Sequence, residues 1–248
     1  MKVVSLSLGR AVLVGGAAII ATGMLAGSAR AIPFDISSGC SQCGGAVSAH
    51  ADVTLGTNSL TVVLTNTATD PASLSLGQLL SGFDITFGTP ISAGSLGALT
   101  QAGSLIDVSA GPTPPLGTVS SVAGSPTHWG AAVDGSGTVF IATAGLGSQS
   151  GNPINMIING TASTLFTTDG IKNSNQQPYI QGAGTFTLAI QGLTSATKIT
   201  SVSFEFGTGP EADFVVVPSP IAGAGLPGLV MACGGLVALA RRRRRNAV

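Results

Sequence analysis

Cations are almost missing from the middle of this chain. Of its ten lysines and arginines, only Lys172 and Lys198 fall between Ile32 and Val217, whereas all ten Asp and Glu residues do. That segment carries two positive against ten negative charges, a formal −8, although the whole chain sums to zero. An acidic surface repels phosphate backbones, so no nucleic-acid partner is expected. Histidine is scarce too. His50 and His128 are the only two, neither stands at ligand spacing from a Cys or carboxylate, and there is no HExxH. No GxSxG elbow is present, which disfavours a hydrolase of that type. A nucleophile needs a base held by a third group, which leaves open His128 with a distant Ser and Asp, while paired carboxylates for glycoside hydrolysis are identified only from a fold. No cofactor or metal is implied, and the segment reads as non-enzymatic.

Cysteine and large aromatics are also few. Cys40 and Cys43 form a C-x-x-C, and Cys233 stands alone in an apolar run. A zinc site would need a second pair or spaced histidines, and a thioredoxin-like site a βαβ context. In an exported chain Cys40 and Cys43 read as a local disulfide; free thiols and redox or metal chemistry are the alternatives. Trp129 and Tyr179 are the only Trp and Tyr. Beside a Pro-rich stretch, Trp129 could stack on a sugar or plug a core, and the two residues are the candidate ligand contacts. Asp134-Gly135-Ser136-Gly137 has one acid of a calcium loop but not the rest, and reads as a hairpin turn.

What the middle segment has in quantity is Val, Ile, Thr, Ser and Gly. Period-2 alternation marks half-buried strands at 59–65, 82–88, 138–143, 185–190 and 201–206, with weaker signals at 104–108 and 154–158. Helical signals are few; the best is Ala72–Leu80, a short helix or turn between two strands, where Asp70 could cap, Pro71 could start, and Leu76, Leu79 and Leu80 would share a face. Residues 110–117 read as a stiff Pro-rich loop and 169–177 as an exposed polar one. These patterns predict an all-β fold, a single antiparallel β-sandwich or jelly-roll-like domain over residues 32–217.

The two ends carry addresses. Lys2 and Arg10 precede an apolar stretch over 11–27, and Ala29-Arg30-Ala31 is an A-x-A site. That is the plan of a signal peptide over residues 1–31, cleaved after Ala31, which implies the Sec export machinery and signal peptidase as partners. At the other end, Pro218-Ser219-Pro220 is followed by 20 uncharged residues, Ile221–Ala240, and then by Arg241, Arg242, Arg243, Arg244 and Arg245. As a helix the run spans about 30 Å, the thickness of a bilayer core. The arginine block would stay on the cytoplasmic side as a stop-transfer signal.

The order of motif, apolar helix and arginines resembles the tail of the PEP-CTERM family of exported bacterial proteins. The likeness covers Val217–Leu229 and the arginine block most clearly. It departs from the family pattern at Ser219, where a Glu usually stands between the prolines. The resemblance implies processing of residues 218–248 by an exosortase-type membrane enzyme, with transit through the inner membrane to the envelope, cell surface or medium. It also implies a structural or interactive role in extracellular matrix, with exopolysaccharide as a candidate partner. The alternative is a carbohydrate-binding or adhesive surface module.

Overall fold

The computed structural model describes residues 31–68, 75–110, 117–143, 152–159, 171, 175–208 and 215–218. They form an all-β protein. Its strands are β1 (Ala31–Cys40), β2 (Gly45–Gly56), β3 (Ser59–Asn66), β4 (Leu80–Phe87), β5 (Leu96–Ala110) and β6 (Gly117–Val122), then β7 (Gly130–Val133), β8 (Thr138–Ala142), β9 (Ile157–Ile158), β10 (Tyr179–Ile190), β11 (Ile199–Phe206) and β12 (Val215–Pro218).

Alternation decides the faces. On β2, Val47, Ala49, Ala51, Val53 and Leu55 are buried while the residues between them are partly exposed. The same period of two buries Leu60, Val62 and Leu64 on β3, and Phe186, Leu188 and Ile190 on β10. Phe83, Ile85 and Phe87 of β4 and Val202, Phe204 and Phe206 of β11 join them in one core. Phe83 and Phe204 meet edge to face at 5.0 Å. A smaller second core gathers Leu79, Ile106, Val108, Met156, Ile158, Ile171 and Tyr179.

The strands belong to a single hydrogen-bonded network. Its main path runs β1-β2-β3-β10-β9-β4-β11-β12, with β5 and β6 continuing from β10 and β8 and β7 continuing from β4. β10 is the hub, because it pairs β3 on one side and β5 on the other. The two-residue β9 is the seam: it lies parallel to β10 and touches β4 through Leu80 and Ile157. Every other pairing is antiparallel. The expectation of a purely antiparallel domain is corrected at this seam.

Three further expectations are sharpened. Of the short helix or turn read over 72–80, the described residues form the turn: Leu76–Gln78 is one 3-10 turn and Leu80 already begins β4. Residues 69–74 lie outside the described residues. The turn is held by side chains rather than by helical periodicity. Gln78 accepts from the Ser75 amide at 2.8 Å and donates to the Ala46 carbonyl at 2.8 Å, and the Ser75 hydroxyl donates to the Cys43 carbonyl. Gly77 presses against Cys43, where an added Cβ would stand 2.6 Å from its carbonyl oxygen. Of the stretch 169–177, the described residues are 171 and 175–177, and only Asn175 among them is exposed. Gln176 is buried, and the Gln177 amide pairs with both backbone groups of Val108 at 2.8 and 2.7 Å, like one more residue of a strand. The signal at 154–158 shortens to Ile157–Ile158, because Asn155 sits in the left-handed region (φ 64°).

The Pro-rich stretch 111–116 lies outside the described residues, as do residues 1–30, Ser219, Pro220 and 221–248, including Arg241 to Arg245. Among the described residues no helix is long and apolar enough to cross a membrane.

Candidate functional site

The outer face of β1, β2, β3, β10 and β5 carries regular cross-strand rows of side chains, half-buried on β2 and β3 and more open at Thr100 of β5. Registers place Thr54, Thr61, Thr187 and Thr100 in one row across four strands. Neighbouring strands stand about 4.8 Å apart, so the row is a ladder of hydroxyls at that spacing. Thr61 and Thr187 share a hydrogen bond of 3.2 Å, and the Thr100 hydroxyl donates to the Thr187 carbonyl at 3.3 Å. The next row reads Pro33, Asp52, Val63, Thr185 and Ala102. Ser48 and Thr67 bond at 2.7 Å beyond it. Threonine sits here because a β-branched side chain suits a pleated surface and its hydroxyl tolerates water.

One charged group interrupts the face. β1 places Asp35 opposite His50, and Asp52 follows His50 by two on β2, so all three share a side of the sheet. His50 Nδ1 lies 2.7 Å from Asp35 and Nε2 lies 3.2 Å from Asp52. Sequence spacing hid half of this: Asp52 stands two residues from His50 on the same strand, but Asp35 meets it only through strand pairing. Partial burial alone would lower the His50 pKa, but hydrogen bonds to Asp35 and Asp52 and their charges outweigh it and raise it. Because the two carboxylates approach opposite ring nitrogens, the arrangement suits an imidazolium donating both protons. The stability it contributes is present below the ordinary value of 6.5 and fades as pH rises through the raised one. An NMR titration of His50 should give a midpoint above 6.5, falling in Asp35→Asn. A midpoint at or below the ordinary value in the unmodified protein would contradict this account.

A second acidic pair is buried. Asp84 on β4 and Glu205 on β11 are 2% and 5% exposed. They lie on the face opposite Phe83 and Phe204, with Glu205 across from Gly82 and Asp84 across from Ser203. Gly82 leaves the space that the Glu205 carboxylate fills: an added Cβ would fall 2.1 Å from its Oε2. Neither oxygen of Asp84 has a hydrogen-bond partner. Burial, then the charges of Glu205 and Asp134, push Asp84 up to about 8, and burial pushes Glu205 up to about 7.

The candidate stacking residues are corrected. Trp129 is 2% exposed and Tyr179 is fully buried, so neither ring offers a face to a sugar. Trp129 packs on Phe186 with ring centroids 4.3 Å apart, and its Nε1 donates to the Asn155 carbonyl at 2.8 Å. Gln101 brackets its backbone, donating to its carbonyl at 2.6 Å and accepting from its amide at 3.2 Å. The Tyr179 hydroxyl donates to the Ile171 carbonyl at 2.9 Å. Both aromatics thus bury their rings and satisfy their polar ends internally. Asn155 and Asn66 are structural hubs that sequence reasoning missed. Asn155 binds Thr127, His128 and Pro178, while Asn66 spans Gln78, Ile157 and Ala68. A single buried Asn carries no periodic signal to mark it.

Cys40 and Cys43 are joined by a disulfide that closes the turn between β1 and β2. Ala31 opens β1 opposite Thr54, and Pro218 ends β12 opposite Ser201. His128 contacts the Thr127 hydroxyl and Asn155; among the described residues no Ser–His–Asp arrangement forms around it. Asp134 closes the β7–β8 turn by accepting from the Ser136 hydroxyl and amide and the Thr138 amide, which holds its carboxyl below the usual range. Among the described residues no group of three or more His, Cys, Asp or Glu side chains could hold a metal ion.

Fold and surface together define an all-β protein with a half-buried, hydroxyl-bearing outer sheet face and an acidic middle segment. Compared with known proteins, the chain matches no family model and no curated protein.

Proposed function

We propose that this is an exported, non-enzymatic protein of the cell envelope or extracellular matrix, sorted through its C-terminal signal. The observation that carries the reading is the order of Pro218-Ser219-Pro220, the apolar run 221–240 and Arg241 to Arg245, behind a signal-peptide pattern. Export by the Sec machinery, removal of residues 1–31 and processing by an exosortase-type enzyme follow from it. On this reading the strand network is a β-sandwich whose two layers share one core and meet at β9, displayed at the surface or released into the matrix.

Two features support an interactive role. The Thr54-Thr61-Thr187-Thr100 row offers hydroxyls in a regular array, suited to a hydrated polymer such as an exopolysaccharide. The short disulfide between Cys40 and Cys43 suits an oxidising compartment.

Mass spectrometry of both termini of the protein from its native host tests the sorting claim. The expected form begins at Ile32, ends near Pro218 and lacks the arginines. Recovery of a form that keeps Arg241 to Arg245 would replace sorting with permanent membrane anchoring.

A further inference from the structure

Lys198 is the sole lysine or arginine among the described residues, and it lines the rim of an open groove of about 500 Å³. The groove lies between the segment that follows β4 and the turn that joins β10 to β11. Pro90 and Ile91 form an apolar side, and Ser92, Ser95 and Gln191 supply hydroxyl and amide groups. No Asp or Glu lines it. Among the described residues no ion pair occupies the Lys198 ammonium, since the ion pairs there are those of His50.

The walls are built rather than loose. Pro90 packs on Gly137, which has φ of 85° and where an added Cβ would lie 2.5 Å from the Pro90 ring. The Gly88 amide donates to the Lys198 carbonyl at 2.9 Å, fixing the backbone that carries the lysine. The Gln191 amide donates to the Ser95 carbonyl at 2.9 Å and ties the two sides together. Gly192, with φ of 85°, donates its amide to Asn58 Oδ1 at 2.8 Å and sets the turn. Ser92 and Ser95 bond to each other at 2.8 Å, so their hydroxyls are prealigned.

We infer that this groove binds a carboxylate-bearing sugar unit of an acidic polysaccharide, with Lys198 on the carboxylate. The inference deepens the proposed matrix role by giving it a ligand class, and it rests on that reading for the source of the polymer. Three chemistries converge on it. A pyranose presents an apolar C–H face, which Pro90 and Ile91 match. It presents hydroxyls, which Ser92, Ser95 and Gln191 can bond. The remaining group is an ammonium in a body of formal charge −8, so an anion finds attraction here and repulsion over most of the surface. The volume falls within the range of about 300–1,000 Å³ usual for ligand sites. The corrected positions of Trp129 and Tyr179 do not weaken the idea, because the groove uses neither.

Calorimetric titration of the mature protein with galacturonate oligomers and with neutral galactose oligomers tests it. The acidic oligomer should bind at least tenfold more tightly than the neutral one, and 0.5 M salt should erase most of that difference. Lys198→Gln should weaken acidic-oligomer binding about tenfold, and Lys198→Arg should restore it to within a few-fold. Gln191→Ala should weaken both oligomers. The lysine side chain is exposed, and its structural bond is a backbone one, so these variants should keep the fold; a thermal melt checks that they do. Equal affinity for the neutral oligomer, unchanged binding by Lys198→Gln, or no binding at all would overturn the assignment. Such a failure is separate from a failure of sorting, which the mature termini report independently.

Discussion

Asp84→Asn should flatten the pH dependence of stability between pH 4 and pH 8. In the folded protein Asp84 titrates near 8, against an ordinary value of 3.8, because burial and the nearby Glu205 and Asp134 charges oppose its ionisation. The folded state therefore holds a proton that the unfolded chain has already released. The contribution of Asp84 to stability is at its fullest below pH 4, falls as pH rises through that window and levels off above pH 8. A tenfold difference in acidity between the folded and unfolded chain is worth about 1.4 kcal/mol, so a loss on the order of 3–6 kcal/mol accumulates across the window. Asn cannot ionise and should remove most of that slope, leaving a smaller one from Glu205, which is pushed up to about 7. His50 contributes in the same direction at its own, higher starting point. Urea denaturation at pH 4.5, 6.5 and 8 for both proteins provides the measurement. Parallel curves would show that Asp84 is not the group responsible.

Trp129→Ala should be the most damaging single core change, at about 3–5 kcal/mol. It removes a buried indole and its contact with Phe186, and it strands the Asn155 carbonyl that Nε1 bonds. In a domain of this size that loss corresponds to about 10 °C in the melting temperature. Trp129→Phe separates the two contributions, since it keeps most of the packing and loses only the hydrogen bond, worth about 1–2 kcal/mol. An effect below about 1 kcal/mol for the alanine variant would mean that Trp129 is exposed in solution, and would reopen it as a ligand contact.

The sequence was most legible where large apolar residues alternate. Phe83, Ile85 and Phe87, and Phe186, Leu188 and Ile190, announce their strands because each inward side chain is bulky and each neighbour is not. β2 was illegible for the converse reason. Its inward Ala49 and Ala51 are too small to contrast with Ser48 and His50, although they are fully buried under larger neighbours. β1 does alternate, with Ile32, Phe34 and Ile36 turned to the core between Pro33, Asp35 and Ser37, but the pattern dissolves into Ser38 and Gly39 beyond them. The stretch 72–80 shows the opposite case. Its leucine spacing imitates a helical face, while Leu79 and Leu80 are buried in two different cores.

The candidate site divides along the same line. The C-x-x-C spacing offered a local disulfide between Cys40 and Cys43 as one reading, because a short loop needs no knowledge of the fold. Asp35 could not be grouped with His50 and Asp52, since its proximity to them depends on the register of β1 against β2. The threonine row depends on three registers at once. Lys198 was visible as a rare charge, but the groove beside it is made by two turns about 100 residues apart in the chain.

The hub position of β10 has a consequence for the order in which the chain emerges. β3 can pair with β2 as soon as both are made, yet its other edge stays unsatisfied until residues 183–189 arrive. β5 waits for the same strand. During synthesis, two strand edges therefore remain open until about three quarters of the chain has been made, and such edges are templates for pairing with other chains. The partner that relieves both of them comes late. A nascent chain of this kind completes its sheet late, and it depends on protection from its own neighbours until β10 closes the sheet.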